Sequence, residues 1–209
     1  MTVPCTAARG LAVAIGASLL AGCISLLPKE NAAQLYRFGA PSPSAEVPAA
    51  GQPRFAVQLV PLSFDRAAAG DRILTMTGDE AAYIKGSRWI TAANTLFETA
   101  VANAFDTDGG AARLLARGEP VRPDYTLKLD VRAFETRYGQ GQGEAPTVVI
   151  EMYAALGRVE NRVPAGERIF RASVPAAANH VGAITAAYNQ AVAKVLADLV
   201  KWVDAKGVG

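Results

Sequence analysis

Cysteine and histidine supply much of the nucleophilic, acid–base and metal chemistry open to a protein, and this chain has two cysteines and one histidine. Of the three, Cys23 has the most telling surroundings. It ends the stretch Leu19-Leu20-Ala21-Gly22-Cys23, which closes an apolar run beginning at Leu11, with Arg9 and the amino terminus ahead of it. A positive start, a short apolar segment and a small-residue exit are the parts of a secretory signal peptide. The run has about half of the ~20 apolar residues needed to cross a bilayer, so a permanent transmembrane helix is not expected. A thiol after two small residues is an accessible nucleophile beside a bond that a peptidase can reach.

The remaining candidates for chemistry fall away one at a time. A Ser-His-Asp hydrolase needs a histidine; His180 stands alone at an expected helix start, and there is no G-x-S-x-G elbow. A solvated or capping role suits it better. Zinc would need further histidine or cysteine ligands. Gly139-Gln140-Gly141-Gln142-Gly143 lacks the G-x-G-x-x-G spacing and precedes a strand pattern rather than a helix, so it reads as a hairpin loop. Asp106-Thr107-Asp108-Gly109-Gly110 lacks the later glutamate of a calcium loop and reads as a helix stop. Asp65, Asp71, Asp79 and Glu80 lie near expected turns, where acidic residues are common. The inventory points to a protein that binds or connects rather than catalyses, with no metal and no cofactor.

Charge and cysteine usage narrow the class. A formal net charge of +2 in 209 residues, with no basic run, lacks the electrostatic footprint of a nucleic-acid binder. Cys5 lies within the expected signal, so Cys23 is left without a second thiol for a disulfide. The mature chain suits one domain with a substantial apolar core.

Periodicity then supplies the elements. Residues 23–53 hold Pro28, Pro41, Pro43, Pro48 and Pro53 among alanines and serines, and read as a tether with a short edge strand at Leu35-Tyr36-Arg37-Phe38. The folded domain is expected over 54–205. Phe55–Leu62 reads as a mostly buried strand, and Arg72–Thr77 with Ala82–Lys85 as a hairpin about Gly78-Asp79. From Thr91 the period changes: Ala93, Leu96, Phe97, Ala100, Val101, Ala104 and Phe105 form a helical face, with Thr91 or Ser87 to cap it. Tyr125, Leu127, Leu129, Val131 and Ala133 alternate as the inward face of a long strand. Val148–Leu156 and Arg168–Val174 continue an antiparallel meander with one solvated face. Val181–Val203 is a long amphipathic helix suited to covering a sheet. The expected fold is α+β, a mainly antiparallel sheet with two amphipathic helices on one face, in the order βββ-α-βββ-α.

Two resemblances sharpen this. Leu19-x-Ala21-Gly22-Cys23 resembles the lipobox of bacterial lipoproteins, in which the thiol is diacylated, the chain is cut before the cysteine and the new amino group is acylated. The resemblance implies cleavage between Gly22 and Cys23, removal of residues 1–22 as a lipoprotein signal peptide, and Cys23 as the lipidated first residue. The whole mature chain resembles the auxiliary lipoproteins of ABC-type transport systems that accompany mammalian-cell-entry (MCE) domain lipid transporters of Gram-negative envelopes. The matching residues are Leu35–Phe38, Gly70-Asp71-Arg72-Ile73, Tyr83-Ile84, Arg88-Trp89, Asp124-Tyr125-x-Leu127, Val131-Arg132-x-Phe134-Glu135, Arg168-x-Phe170, and the closing run from Tyr188 to Val203. Ile90–Asn94 lacks the proline that often follows the family's tryptophan.

The resemblance implies a lipid-anchored, periplasm-facing adaptor acting beside an MCE-domain substrate-binding protein, an ABC permease and an ATPase, with homo-oligomers in view. Tyr83, Arg88, Trp89 and the exposed strand faces become candidates for partner contact, with Trp89 better suited to seating the first helix in the core and Arg88 and Tyr83 equally suited to bracing the fold. Ile24, where aspartate would retain an enterobacterial lipoprotein at the inner membrane, favours the outer membrane. The alternatives are a lipid-carrying domain, which would need an apolar cavity of several hundred Å³, and an assembly lipoprotein outside transport.

Overall fold

Strict alternation of apolar and polar residues drives the sheet at the centre of this molecule. The structure is a computed structural model that describes residues 32–40, 54–139 and 143–207. Among these, nine strands and two helices follow in the order β1 (Gln34–Tyr36), β2 (Phe55–Leu59), β3 (Ser63–Phe64), β4 (Arg72–Thr77), β5 (Glu80–Trp89), α1 (Ala93–Asp108), β6 (Ala112–Leu114), β7 (Tyr125–Tyr138), β8 (Thr147–Arg158), β9 (Pro164–Pro175) and α2 (Val181–Gly207). The class is the α+β expected. The order is fuller than βββ-α-βββ-α, because β1 and the short β3 join the first half and β6 the second.

The long ladders are antiparallel: β7 with β8, β8 with β9, and β4 with β5. The other edge of β7 is shared in sequence by three strands running parallel to it. β2 meets it at Tyr125, β3 at Asp130 and β4 at Thr136. Both outer strands of that half, β1 on β5 and β6 on β2, also pair in parallel. The meander of β7 to β9 is therefore as expected, but it is embedded in a mixed sheet.

One irregularity in β7 decides where the core sits. Val131 pairs with Met152 and Ala133 with Glu151, so β7 carries an extra residue at Arg132 relative to β8. A β-bulge of this kind reverses the phase of every later side chain. Tyr125, Leu127, Leu129 and Val131 face the core as expected, but Ala133 does not. Phe134 and Thr136 take over the inward positions, Phe134 at 1% exposure.

Phe134 is the hub of the layer between sheet and helices. Its ring lies 4.8 Å from Tyr188, 5.0 Å from Phe38, 5.3 Å from Phe64, 6.1 Å from Phe97 and 6.3 Å from Trp89, centroid to centroid. These rings come from β1's exit, β3, β5, α1, β7 and α2, so one cluster ties together both halves of the chain. Most of these contacts are edge-to-face or tilted, as the ring quadrupoles favour. The buried Tyr188 hydroxyl shares a hydrogen bond with Thr136 Oγ1 at 3.2 Å. Burial pushes its phenol well above the ordinary tyrosine range.

Phe38 extends the packed unit upstream. It is 3% exposed and touches Trp89, Phe134 and Tyr188. The strand suggested at Leu35–Phe38 exists as β1, at a sheet edge, yet it is no part of a tether: residues 33–40 belong to the same compact unit as the described residues from Arg54 onward. The domain thus begins well before Arg54. Gly39 explains how the chain leaves this site. It has φ +69°, and a Cβ there would collide with Cβ of Ala100 on α1.

The start of α1 is capped in an unexpected way, and that of α2 by the histidine expected there. Ala92 is the N-cap of α1, with no side-chain hydrogen bond; neither Thr91 nor Ser87 serves, and Ser87 lies buried in β5. The free N–H groups of Ala93 and Asn94 instead donate to the carbonyls of Gly70 and Ala69, at 2.9 and 3.2 Å. The α1 stop falls where expected, with Gly109 left-handed at φ 63°. At α2, Nδ1 of His180 accepts from the N–H of Ala183 at 3.2 Å, so the sole histidine is a capping residue.

Candidate functional site

The β5 segment holds the three residues singled out for partner contact, and the structure separates them. Trp89 is 2% exposed and its N–H donates to the Asp71 carbonyl at 2.7 Å. Its ring packs in the core against Phe38, Phe134 and Tyr188 of α2, and it has no surface to offer a partner. Arg88, its neighbour, points the other way and forms an ion pair with Asp71 at 2.9 Å, both side chains about half exposed. An ion pair that open to water is worth about 0–1 kcal/mol, so it orients Arg88 more than it stabilises the fold. Tyr83 donates from its hydroxyl to the Ala67 carbonyl at 3.1 Å, and the Arg72 guanidinium stacks 3.8 Å over its ring. Tyr83 and Arg88 therefore knit the 65–71 loop to β5 while each keeps part of its surface free.

The solvated face of the meander is a second candidate surface. Alternate residues of β7, β8 and β9 point outward and pair both along a strand and across a ladder. Arg132 bonds Asp130 at 3.1 Å and lies 4.8 Å over the Tyr153 ring; Arg171 bonds Glu151 at 2.7 Å; Arg137 bonds Glu135 at 2.7 Å. Charges of both signs alternate here, which suits a protein surface with a polar rim more than a nucleic acid, whose phosphates demand one sign.

The third feature was not legible in the sequence. A groove of about 790 Å³ runs between α1 and α2, floored by Ala100, Ala104, Val192 and Leu196 and walled by Asn103 and Asn189. Both asparagines grip the Gly39 peptide at its end: Gly39 N–H donates to Asn189 Oδ1 at 3.0 Å, and Asn103 Nδ2 donates to the Gly39 carbonyl at 3.4 Å. Alanines spaced four apart on α1 were assigned to the core face, and part of that face lines the groove instead. The groove lies outside the aromatic layer, which is filled.

At the far end of the two helices Asp108 and Asp204 converge on Gly110, where a side chain would meet both carboxylates. Asp204 Oδ1 accepts the Ala112 N–H at 2.7 Å. Partial burial, with the Asp108 carboxylate adding to it, raises the Asp204 pKa above the ordinary value. The sign follows from linkage. A raised folded-state pKa means that the folded chain holds this proton more tightly than the unfolded chain. The contribution is fully present below the ordinary aspartate range, near pH 4, and is lost as pH rises through the raised value. Asp204→Asn keeps an acceptor for Ala112 and removes the charge beside Asp108. Its urea midpoint is expected above wild type at pH 7 and level with it near pH 3. A difference unchanged between the two pH values would refute the charge argument.

Among the described residues no three histidine, cysteine or acidic side chains sit together as a metal site, and no helix is long and apolar enough to cross a membrane. Gly22, Cys23 and the proline-rich stretch 41–53 lie outside the described residues, as do the middle residues 140–142 of the loop between β7 and β8.

Comparison with known proteins agrees with this architecture. Residues 36–200 match the family model described as the ABC-type transport auxiliary lipoprotein component. The crystal structure of XCC0632 from Xanthomonas campestris, a protein of the DUF330 family, superposes with a TM-score of 0.68 at 26% identity, covering 85% of this chain and 95% of that one. An uncharacterized protein superposes at 0.63 with 14% identity, over 83% of this chain and 99% of its own. The hypothetical protein CT253 from Chlamydia trachomatis does so at 0.50 with 9% identity, over 73% and 97%. The last two speak to the fold alone. No curated protein matches the sequence.

Proposed function

Since the chain belongs to the family of ABC-type transport auxiliary lipoprotein components, we propose that it is a non-catalytic adaptor of an MCE-domain lipid transport system, anchored through acylated Cys23 and facing the periplasm. Its partners in this reading are an MCE-domain substrate-binding protein and the ABC permease and ATPase. Ile24 after the anchor cysteine favours the outer membrane.

The observation that carries the adaptor reading is the filled layer between sheet and helices. Six aromatic rings occupy the space that a carrier of this architecture would open for acyl chains. Surface, not interior, is what such a domain has to give: half-exposed Arg88, partly buried Tyr83, and the paired charges on the meander face. The groove between α1 and α2 favours a second reading, a lipid-carrying domain, because its floor is apolar and its volume is in the range of small-molecule sites.

A pull-down of the acylated protein from detergent-solubilised envelopes, with mass spectrometry of proteins and lipids, separates the two. The adaptor reading expects an MCE-domain protein and only trace lipid beyond the anchor. Stoichiometric phospholipid with no protein partner would replace it with the carrier reading.

A further inference from the structure

Five large apolar side chains are conspicuously exposed among the described residues: Leu35, Ile90, Val121, Val163 and Ile169. Two of them are neighbours. Leu35, on the edge strand β1, registers with Arg88 of β5, and the N–H of Ile90 donates to the Tyr36 carbonyl at 2.7 Å. Register and alternation place their side chains together. Residues paired across a ladder project to the same face, and Trp89 and Tyr36 take the inward side, so Leu35, Arg88 and Ile90 all project outward. Arg72 registers with Arg88 and joins that face. The result is an apolar pair, 59% and 58% exposed, flanked by two arginines, at the extreme edge of the sheet.

This edge is also where the chain comes in from its amino terminus. Because β1 and Phe38 belong to the fold, the link from Cys23 to Gln34 is only eleven residue steps, a reach of at most about 40 Å even if fully extended. A long tether would let any face of the domain meet the membrane. A link this short gives preference to the edge that it enters.

We propose that the β1–β5 edge rests on the surface of the membrane that holds the anchor, with Leu35 and Ile90 in the headgroup–acyl boundary and Arg72 and Arg88 among the phosphates. Apolar side chains ringed by arginine suit that boundary, since arginine keeps its head in the polar layer while its stem lies along apolar surface. The sheet then stands edge-on, and β9, five strand intervals away at about 4.8 Å each, points into the periplasm. The paired charges of the meander face are thereby held away from lipid and left for a protein partner, whereas Arg88 is given to the membrane. The inference rests on the anchor in the proposed function.

The test labels one position at a time. With Cys5 removed and Cys23 acylated, the mature chain has no free thiol, so Leu35→Cys, Ile90→Cys and Ile169→Cys each accept a single environment-sensitive fluorophore. The full acylated protein is reconstituted into phosphatidylethanolamine–phosphatidylglycerol vesicles with and without a lipid-borne nitroxide quencher. The expected result is loss of emission with the quencher for the labels at 35 and 90, and none for the label at 169, which shares the outward face but sits on the opposite edge. Acylated, vesicle-bound protein whose labels at 35 and 90 are not quenched would overturn the proposal. Equal quenching at all three positions would also overturn it, by making the contact face-on. Intact mass is measured on the same samples: absence of acyl groups on Cys23 would remove the anchor premise itself and this inference with it.

Discussion

Phe134→Ala is expected to cost about 3–5 kcal/mol, the range for deleting a buried aromatic ring. That is a large part of the ~5–15 kcal/mol that holds a typical domain together. The reasoning starts at the bulge. Arg132 adds one residue to β7, Phe134 swings inward, and its ring then meets five others drawn from five other segments of the chain. Removing it leaves a cavity bordered by β1's exit, β3, β5, α1 and α2 at once, and no single neighbour can collapse into it without leaving its own partners. Leucine at this position keeps much of the volume and should lose clearly less. Urea denaturation followed by tryptophan emission reads the effect directly, because Trp89 is one of the five rings. A loss under about 1 kcal/mol for Phe134→Ala would mean that the cluster relaxes freely and is no hub.

Why that hub was hard to see in the sequence is instructive. The alternation from Tyr125 to Val131 is regular, and continuing it puts Ala133 inward. An extra residue in a strand has no composition of its own; the visible sign is the apolar pair Val131 and Phe134 standing three apart, out of phase for a strand. Elements whose burial repeats over many residues were legible: α1, α2 and the inner faces of β7 and β8. Pairing partners were not. Periodicity shows that β2, β3 and β4 are strands, but nothing local shows that all three run parallel along one edge of β7.

The same gap explains β1. Leu35–Phe38 has the look of a strand, but its partner Ser87–Trp89 lies some fifty residues away, and a proline-rich stretch follows it at once. Flanking composition suggested a tether; the Phe38 ring, locked against Trp89 and Tyr188, places it in the core. Capping was misread for a related reason. Thr91 and Ser87 are suitable cap residues by type, yet tertiary carbonyls from the 69–70 turn meet the same N–H groups. The groove between the helices was invisible because alanine at helical spacing fits a buried face and a shallow surface groove equally well.

Loss of the anchor cysteine is the other change expected to have a large effect, on location rather than on stability. In the reading proposed here the wild-type chain is recovered beginning at Cys23 and carrying acyl mass. Each buried CH₂ contributes about 0.8 kcal/mol, and one chain alone holds a protein only marginally, whereas two or more hold it stably. A thioether diacylglycerol with an N-acyl group passes that threshold, so retention should not depend on any protein contact. Cys23→Ser removes the thiol that accepts the first group, and cleavage that follows acylation fails with it. Its product is therefore expected to keep residues 1–22, and the apolar run in that segment could hold it loosely at the membrane. Replacing residues 1–22 with an ordinary secretory signal in the Cys23→Ser chain resolves this: the processed domain should then appear in the soluble periplasmic fraction, folded, with the same urea midpoint as wild type after removal of the acyl groups. Because Leu35 and Ile90 alone make a small patch, they should not retain it. Membrane recovery of that chain equal to wild type would show that a protein or lipid contact, not acylation, holds the domain in place.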